Sequence, residues 1–448
     1  MERTDRTPDP EPTDSVPAVP DPVPPAERLQ ALDTLRGFAL LGILLMNIVG
    51  FAFHSGAYDN PTVAGGDTGA NLWVWFVLHV LAEGKMRCLF SLVFGASAVL
   101  LTSRVGRRHA GDGPDAADIF YRRNLWMLLI GILHSYLLWQ GEILYPYAVI
   151  AFALYPFRRM APRGIAAVAG AIVVYCAVFY SIDAWNLSET IREGRAAVAK
   201  EESGATLSRE ESEARDEWQE FRADRNPDAE TLERDAAEWR GGPWQVIKAR
   251  GTVVVHYWSI PWYHPWLMES LAMMLLGMAL MKWGVLGGGR GTRFYAWMTA
   301  GGYLVGLPLH FYNGWVTMKS GFDPVVQGYA GAVYDLGRLA VACGHAGLLL
   351  WICRNGWFRA LTDRLAAVGQ MALSNYLTHS VVCAFVFTGY GFGLYGRLQR
   401  YQVYEVVLLL WAFQLWVSPI WLRRFRFGPA EWAWRSLTYW KLQPMRRA

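Results

Sequence analysis

The chain has 448 residues, a formal net charge of +4, 53% hydrophobic and 18% charged residues, and 22 tryptophans. Length alone allows two or three soluble domains, but apolar segments recur along nearly the whole sequence, most near the ~20 residues a helix needs to cross hydrocarbon. Composition therefore excludes a soluble globular chain, a charge this small gives no nucleic-acid-binding character, and the partner it names is the lipid bilayer.

Residues 1–27 are rich in proline and acids, as in Pro20-Asp21-Pro22-Val23-Pro24-Pro25, and have no apolar h-region. They read as a disordered cytoplasmic tail rather than a signal peptide. The first span covers residues 30–53, followed by a loop over 54–71 without basic residues. A long helical stretch, 72–104, is interrupted by Glu83-Gly84-Lys85-Met86-Arg87. It exceeds one crossing, so it reads as a short interfacial or re-entrant piece followed by a span over 86–102. After the basic loop 104–115 come a third span (118–139), a fourth ending at Pro156, and a fifth over 164–182.

Residues 183–240 break the pattern, with 17 acidic and 9 basic residues. Ser208-Arg209-Glu210-Glu211 fits a capping box, and Asn226-Pro227 fits an N-cap with proline at N1. The expectation is a solvated helical hairpin. Five further spans follow, at 263–281, 294–311, 327–352, 366–387 and 404–422, with Trp262, Tyr263, Trp266, Tyr312 and Trp315 at interfaces. The fold class is all-α: a polytopic transmembrane bundle of about ten spans with a charged helical extracytoplasmic insert. It divides into the tail (1–27), an N-terminal transmembrane half (28–182), the insert (183–243), and a C-terminal half with a basic cytoplasmic tail (244–448). Lysine and arginine bias in the short loops places both termini in the cytoplasm and the insert outside.

Ionisable groups at membrane depth are costly and face the bundle interior or a water-filled cavity. Asp33 and Arg36, three residues apart on the first helix, either pair with each other or leave Arg36 to bind the phosphates of a cytosolic donor. Asn47, about three turns on, is either helix–helix glue or a lining group. His134 ends the third span and Glu142 begins the fourth, and the short Gln140-Gly141 turn brings them within reach. A histidine oriented by a carboxylate is a general-base arrangement, and the plainer reading is a structural hydrogen bond at a helix turn. Glu83, Lys85 and Arg87 either snorkel to headgroups or bind a phosphate or carboxylate. Asp335 and Arg338 repeat the D-x-x-R spacing and fit a self-satisfied pair. Asn375 and His379 stack on one face of the ninth span as polar packing or as lining. His54 and His79 are further candidates for a base. No HExxH, P-loop, GxSxG or metal-ligand cluster is present, so no metal is expected.

The opening order L-D-x-L-R-G-x-A-L-L-G-I-L-L-x-N, from Leu32 to Asn47, resembles the YeiB-like family of bacterial membrane proteins. Glu83-Gly84-Lys85-Met86-Arg87, Leu133-His134 with Gly141-Glu142-Ile143-Leu144, Gly369-Gln370-Met371-Ala372-Leu373-Ser374-Asn375-Tyr376 and Gly428-Pro429-Ala430-Glu431-Trp432 carry the same resemblance. Glu142 stands where that family usually has Asp. The L-D-x-L-R-G start is also similar to two groups of membrane acyltransferases, the heparan-glucosaminide acetyltransferase type and enzymes that modify bacterial surface sugars. That similarity implies transfer of an acyl group from cytosolic acyl-CoA to a hydroxyl or amine acceptor, a small molecule, glycan or lipid, on the far side of a bacterial cell membrane. In the surface-sugar group a catalytic histidine occupies the position of Asn47; in the acetyltransferase type an asparagine stands there and the histidine comes later.

The expectation is thus an acyltransferase-like membrane protein. Asp33, Arg36, Lys85, Arg87 and Asn375 are its candidate donor-binding residues, and His134, Glu142 and Asn47 its candidate catalytic ones. The alternatives are a transporter or lipid-handling protein with Arg36, Glu142, Asp335 and Arg338 along a path, and a non-catalytic envelope partner acting through the insert.

Overall fold

Capped polar starts running into apolar sequence set most of the helices, and a computed structural model describes residues 30–108, 116–259, 263–331 and 334–447. The tail 1–27, Trp262, most of the basic loop 104–115 and the side chains of Arg107 and Arg108 lie outside the described residues. Among those described there is no strand, only an isolated bridge between Phe425 and Arg446. The chain is an all-α bundle.

Helix α1 (Gln30–Ala52) is the central staff, with Leu35, Leu40, Leu44 and Ile48 buried along it. It packs on α3 (Lys85–Arg108), α13 (Tyr334–Asn355), α14 (Arg359–Gln370), α15 (Ala372–Phe387) and α16 (Arg400–Arg424). Its crossing with α14 has no room for side chains: a Cβ on Gly37 would strike the Leu365 carbonyl, and one on Gly369 the Asp33 carbonyl. This is the physical content of the glycine in L-D-x-L-R-G.

Helix α2 (Gly69–Leu81) precedes α3 and is separated from it by a turn at 82–84. Gly84 makes that turn at φ +67°, and a Cβ there would collide with the Tyr334 hydroxyl. α4 (Ala116–Leu137) crosses beside α5 (Leu144–Leu154), which has 11 residues and cannot span hydrocarbon by itself. α5 begins where Glu142 supplies an acceptor: its carboxylate takes the amides of Leu144, at 2.9 Å, and Tyr145, while the N-cap residue Ile143 contributes no side chain.

The fifth span does not stop at residue 182. α6 (Pro162–Glu202) continues unbroken for 41 residues, about 60 Å, carrying the chain from the bundle into the charged insert. α7 (Arg209–Arg225) returns along it, with Trp218 packed on Gly194. The capping box at Ser208 and Glu211 forms as expected. The second cap lies two residues beyond the expected one. Asn226 ends α7, and α8 (Ala229–Arg240) is capped by Asp228, which accepts from the Thr231 amide at 2.8 Å. A carboxylate there also complements the helix dipole. α9 (Pro243–Ser259), not anticipated in the sequence, leads back to α10 (Tyr263–Lys282).

α11 (Thr292–Lys319) and α13 form an intimate pair joined through α12 (Pro324–Gly331). The expected ninth span is two helices, α14 and α15, broken at Met371. α17 (Pro429–Tyr439) supplies the reason α15 starts afresh. Glu431 accepts the amides of Leu373, at 2.6 Å, and Ser374, at 3.1 Å, and its other oxygen takes the Ser374 hydroxyl. One helix thus caps another from across the bundle.

Among the described residues six helical runs are long and apolar enough to cross a membrane: Gln30–Ala52, Gly69–Ser103, Pro162–Glu202, Tyr263–Lys282, Tyr334–Asn355 and Arg400–Arg424. α4, α11 and the shorter α15 pack among them. The outward stripe of α4, Leu125, Leu129, Leu133 and Leu137, is exposed. Such a face fits hydrocarbon, not water. Replacing Glu431 with alanine leaves two buried amides without an acceptor, a loss of about 1–3 kcal/mol. The expected readout is a lower unfolding midpoint in detergent, with Glu431→Gln less affected; an unchanged Glu431→Ala midpoint would refute the cap.

Candidate functional site

A cavity of about 1200 Å³ opens where the upper end of α1, the α2–α3 turn and the α4–α5 turn meet the insert. Ile43, Met46 and Met86 form its apolar floor, and Trp218 and Phe221 of α7 contribute to its roof. Aromatic rings line one side: Trp258, which stacks on Tyr145 behind it at 4.0 Å, and the stacked pair Tyr263 and Trp266 at 5.3 Å. The charged insert is therefore a wall of the cavity, and Arg195 on α6 and Asp323 beside α12 close it with an ion pair of 2.8 Å.

Asn47, His54, Glu83, Arg87 and Glu142 all line this cavity. Asn47 makes no hydrogen bond among the described residues, so its amide is free to meet whatever fills the space. His54 accepts from the Gly56 amide at 3.2 Å and caps a short turn. Glu142 reaches the wall, and His134 stands behind it with Nδ1 3.4 Å from the carboxylate. His134 Nε2 lies 2.7 Å from the Ser380 hydroxyl, and the ring leans on Tyr376 at 5.1 Å. The imidazole is held on three sides.

Arg87 belongs both to the cavity and to a buried ion network. Its Nη2 bonds Glu269 at 2.9 Å, and Arg338 bonds the same carboxylate and forms an ion pair with Asp335 at 2.9 Å. Lys85 does not reach the cavity. Its fully buried Nζ donates to the His79 carbonyl at 2.6 Å and faces His310 Nδ1 at 3.0 Å, with Glu83 at 3.9 Å. Tyr334 donates to Glu83, and His79 contacts Asn313 at 2.8 Å. Three carboxylates (Glu83, Glu269, Asp335) thus balance three cations (Lys85, Arg87, Arg338). Glu269 and His310 were legible as intramembrane ionisable groups, but their partners sit on other helices at sequence separations that no motif encodes.

The remaining candidates lie elsewhere. Arg36 bonds Asp33, the Ser97 hydroxyl at 2.9 Å and the Gly369 carbonyl at 3.3 Å, so the intrahelical pair forms and is extended to two other helices. Asn375 bonds the Val368 carbonyl at 3.1 Å and Ser418 at 3.2 Å, inside a polar seam completed by His379 and Gln414. Between Arg36 and the cavity floor the Met86 side chain lies directly on Gly42. Among the described residues no group of three or more His, Cys, Asp and Glu side chains is placed to hold a metal ion.

Fold and site together define a polytopic helical membrane protein with an insert-roofed polar cavity. Over 421 residues the chain is 28% identical to a protein printed as "Uncharacterized protein YeiB" from Escherichia coli strain K12, covering 92% of this chain and 96% of that one. It is 25% identical over 448 residues to "Uncharacterized protein YxaH" of Bacillus subtilis strain 168, covering 94% and 96% respectively. Residues 280–441 match the family described as "Protein of unknown function (DUF418)". The chain is thus similar to YeiB along nearly its whole length, and its C-terminal part to the DUF418 family. No solved structure matches it.

Two predictions follow from the site's charges. Burial disfavours the charged form of Asp323, but Arg195 and the Val325 and Val326 amides outweigh it and hold the carboxyl below its usual range. Its contribution is therefore complete above the ordinary aspartate value of ~4 and lost as pH falls through the lower folded value. Hydrogen-exchange protection around Arg195, taken relative to the intrinsic rate at each pH, is expected to fall on acidification and to be low at every pH in Asp323→Asn; equal protection in both proteins would contradict this. Glu269→Gln leaves Arg87 and Arg338 undercompensated in the bundle and is expected to cost about 3–5 kcal/mol, measured as a loss of folded protein after detergent extraction. Wild-type yield would count against the network.

Proposed function

We propose that this protein is a bacterial cell-membrane transferase that moves an acyl group onto a hydroxyl or amine acceptor held in the cavity. Acyl-CoA is the donor implied by the L-D-x-L-R-G resemblance. The insert side faces outward and both termini face the cytoplasm, as the loop charges require. The observation that carries the reading is Glu142 among the residues lining the cavity, its carboxylate backed by His134 at 3.4 Å, with the unpartnered Asn47 amide in the same lining.

Glu142 takes the acceptor's proton as the new bond to the acyl carbon forms. His134 is a positioning residue that spreads the resulting charge towards Ser380. The Asn47 N–H steadies the carbonyl oxygen while it carries negative charge. The thioester C–S bond breaks, and the departing thiolate recovers the proton from Glu142. On the donor side, Arg36 exchanges its bonds to Asp33 and Ser97 for donor phosphates. A donor chain reaching the cavity from there must displace Met86, whose unbranched thioether side chain adapts readily.

The closed floor formed by Ile43, Met46 and Met86 favours a second reading, a lipid-handling protein that works from the insert side alone. Transfer of radiolabelled acetyl from acetyl-CoA in nanodiscs separates the two. The transferase reading expects labelled product, a Glu142→Gln rate lower by about 10²–10⁴ and an Asn47→Ala rate lower by about 10²–10³. His134→Gln is expected to shift the pH profile more than the rate. Absence of transfer, together with no thermal stabilisation by acetyl-CoA, would leave the lipid-handling reading.

A further inference from the structure

Buried polar side-chain atoms normally find a partner, and the inner wall of the cavity holds three that do not. They are Arg87 Nη1, Trp139 Nε1 and Gln140 Oε1, each shielded and without a hydrogen bond. All three residues line the cavity, alongside the free Asn47 amide. Their neighbours prevent them from turning away. The Trp139 ring is 6% exposed, stacked on Phe51 at 4.7 Å and flanked by Gly50 and Gly141. Arg87 is fixed by Glu269 through Nη2 and lies over the Trp266 ring at 4.8 Å. The Gln140 amide nitrogen leans on the Gly50 carbonyl at 3.5 Å, which commits its oxygen to the other side.

The chemistry of this set is lopsided. Arg87, Trp139 and Asn47 offer N–H donors from three different helices or turns, and the Glu142 carboxylate, oriented by the amides of Leu144 and Tyr145, is kept for the acceptor's proton. Glu269 is shared between Arg87 and Arg338, and its bond to Arg87 runs through Nη2 alone. Of the Arg87 guanidinium, Nη2 is taken by Glu269 and Nη1 is left without a partner. Single donors from several directions suit a tetrahedral oxyanion, and the Gln140 oxygen needs a hydroxyl to accept from. The cavity, at about 1200 Å³, exceeds the ~300–1,000 Å³ of ordinary small-molecule sites. Its stacked aromatic side and methionine floor suit an apolar remainder.

We propose that the inner end of the cavity binds the phosphate of a hydroxylated phosphate ester, through Arg87, Trp139 and Asn47, with Gln140 accepting from its hydroxyl. The proposal rests on the reading of this cavity as the acceptor site and names the acceptor class. A membrane glycerophospholipid and a free glycerophosphate share that chemistry.

Full-length protein in detergent is titrated by calorimetry with dihexanoyl-phosphatidylglycerol, with glycerol 3-phosphate and with dihexanoyl-glycerol, which lacks the phosphate. Binding of the first alone, or of the first far more tightly than the second, marks a lipid headgroup. Comparable binding of both phosphate esters marks a soluble one. Either supports the site, provided that Arg87→Gln weakens binding at least tenfold. Trp139→Phe, which removes the N–H and keeps the ring stack, should weaken it about three- to tenfold. Dihexanoyl-glycerol binding as tightly as both phosphate esters, or wild-type affinity in Trp139→Phe with its fold intact, overturns the proposal. Phosphate-ester binding without acyl transfer from any donor leaves this site standing and removes the transferase. Transfer to an acceptor without a phosphate, with no phosphate-ester binding, does the reverse.

Discussion

Glu269 sits within a helical bundle whose outer face is apolar, and two guanidinium groups from two other helices converge on it. Moving a lone carboxylate from water into such a place costs several kcal/mol, and so does moving each cation. Together with Asp335, Glu83 and Lys85 the charges cancel, three against three. This compensation fixes α3, α10 and α13 relative to one another more strictly than apolar packing can, because a slipped register would strand a charge. The close glycine crossings do the complementary work, allowing backbones to approach where side chains would hold them apart.

The cavity inherits its shape from that constraint. Arg87 is pinned from below by Glu269 and therefore presents one unfulfilled edge upwards. Gly84 turns the chain tightly enough to bring Glu83 and Arg87 to the same opening. Opposite them, the α4–α5 turn is rigid because Glu142 caps a helix too short to span the bilayer, and Trp139 is wedged between two glycines. Much of the polar wall is thus immobile before any ligand arrives, which is what a binding site needs to avoid ordering its own side chains. The insert completes the enclosure from above, so the charged segment expected as a solvated helical hairpin is part of the chamber.

A buried carboxylate that both caps a helix and faces a cavity carries two duties. The amides of Leu144 and Tyr145 hold its orientation, and His134, held by Ser380 and Tyr376, backs it. The imidazole therefore acts at one remove from the chamber, and the residue in touch with it is the acid. In the same way Arg36 is embedded among Asp33, Ser97 and Gly369 rather than open to solvent.

The sequence by itself determined that this is a helical membrane protein, because runs of apolar residues near 20 long have no other stable solvent. It determined the capping box at Ser208, whose two bonds are local, and it placed His134 within reach of Glu142, because only a short turn separates them. It also singled out Asn47, Glu83 and Arg87 as polar groups out of place. Tertiary structure alone decided which of these share a cavity and which do not: Lys85 turns inward to His310, Asn375 joins a packed seam, and Trp139 and Gln140, unremarkable in a sequence, become wall. The break between α14 and α15 was equally hidden, since the cap that permits it comes from Glu431 across the bundle. Local bonds are written in neighbouring residues. Which distant helix faces which is settled only when the apolar and charge balances of the whole bundle are met at once.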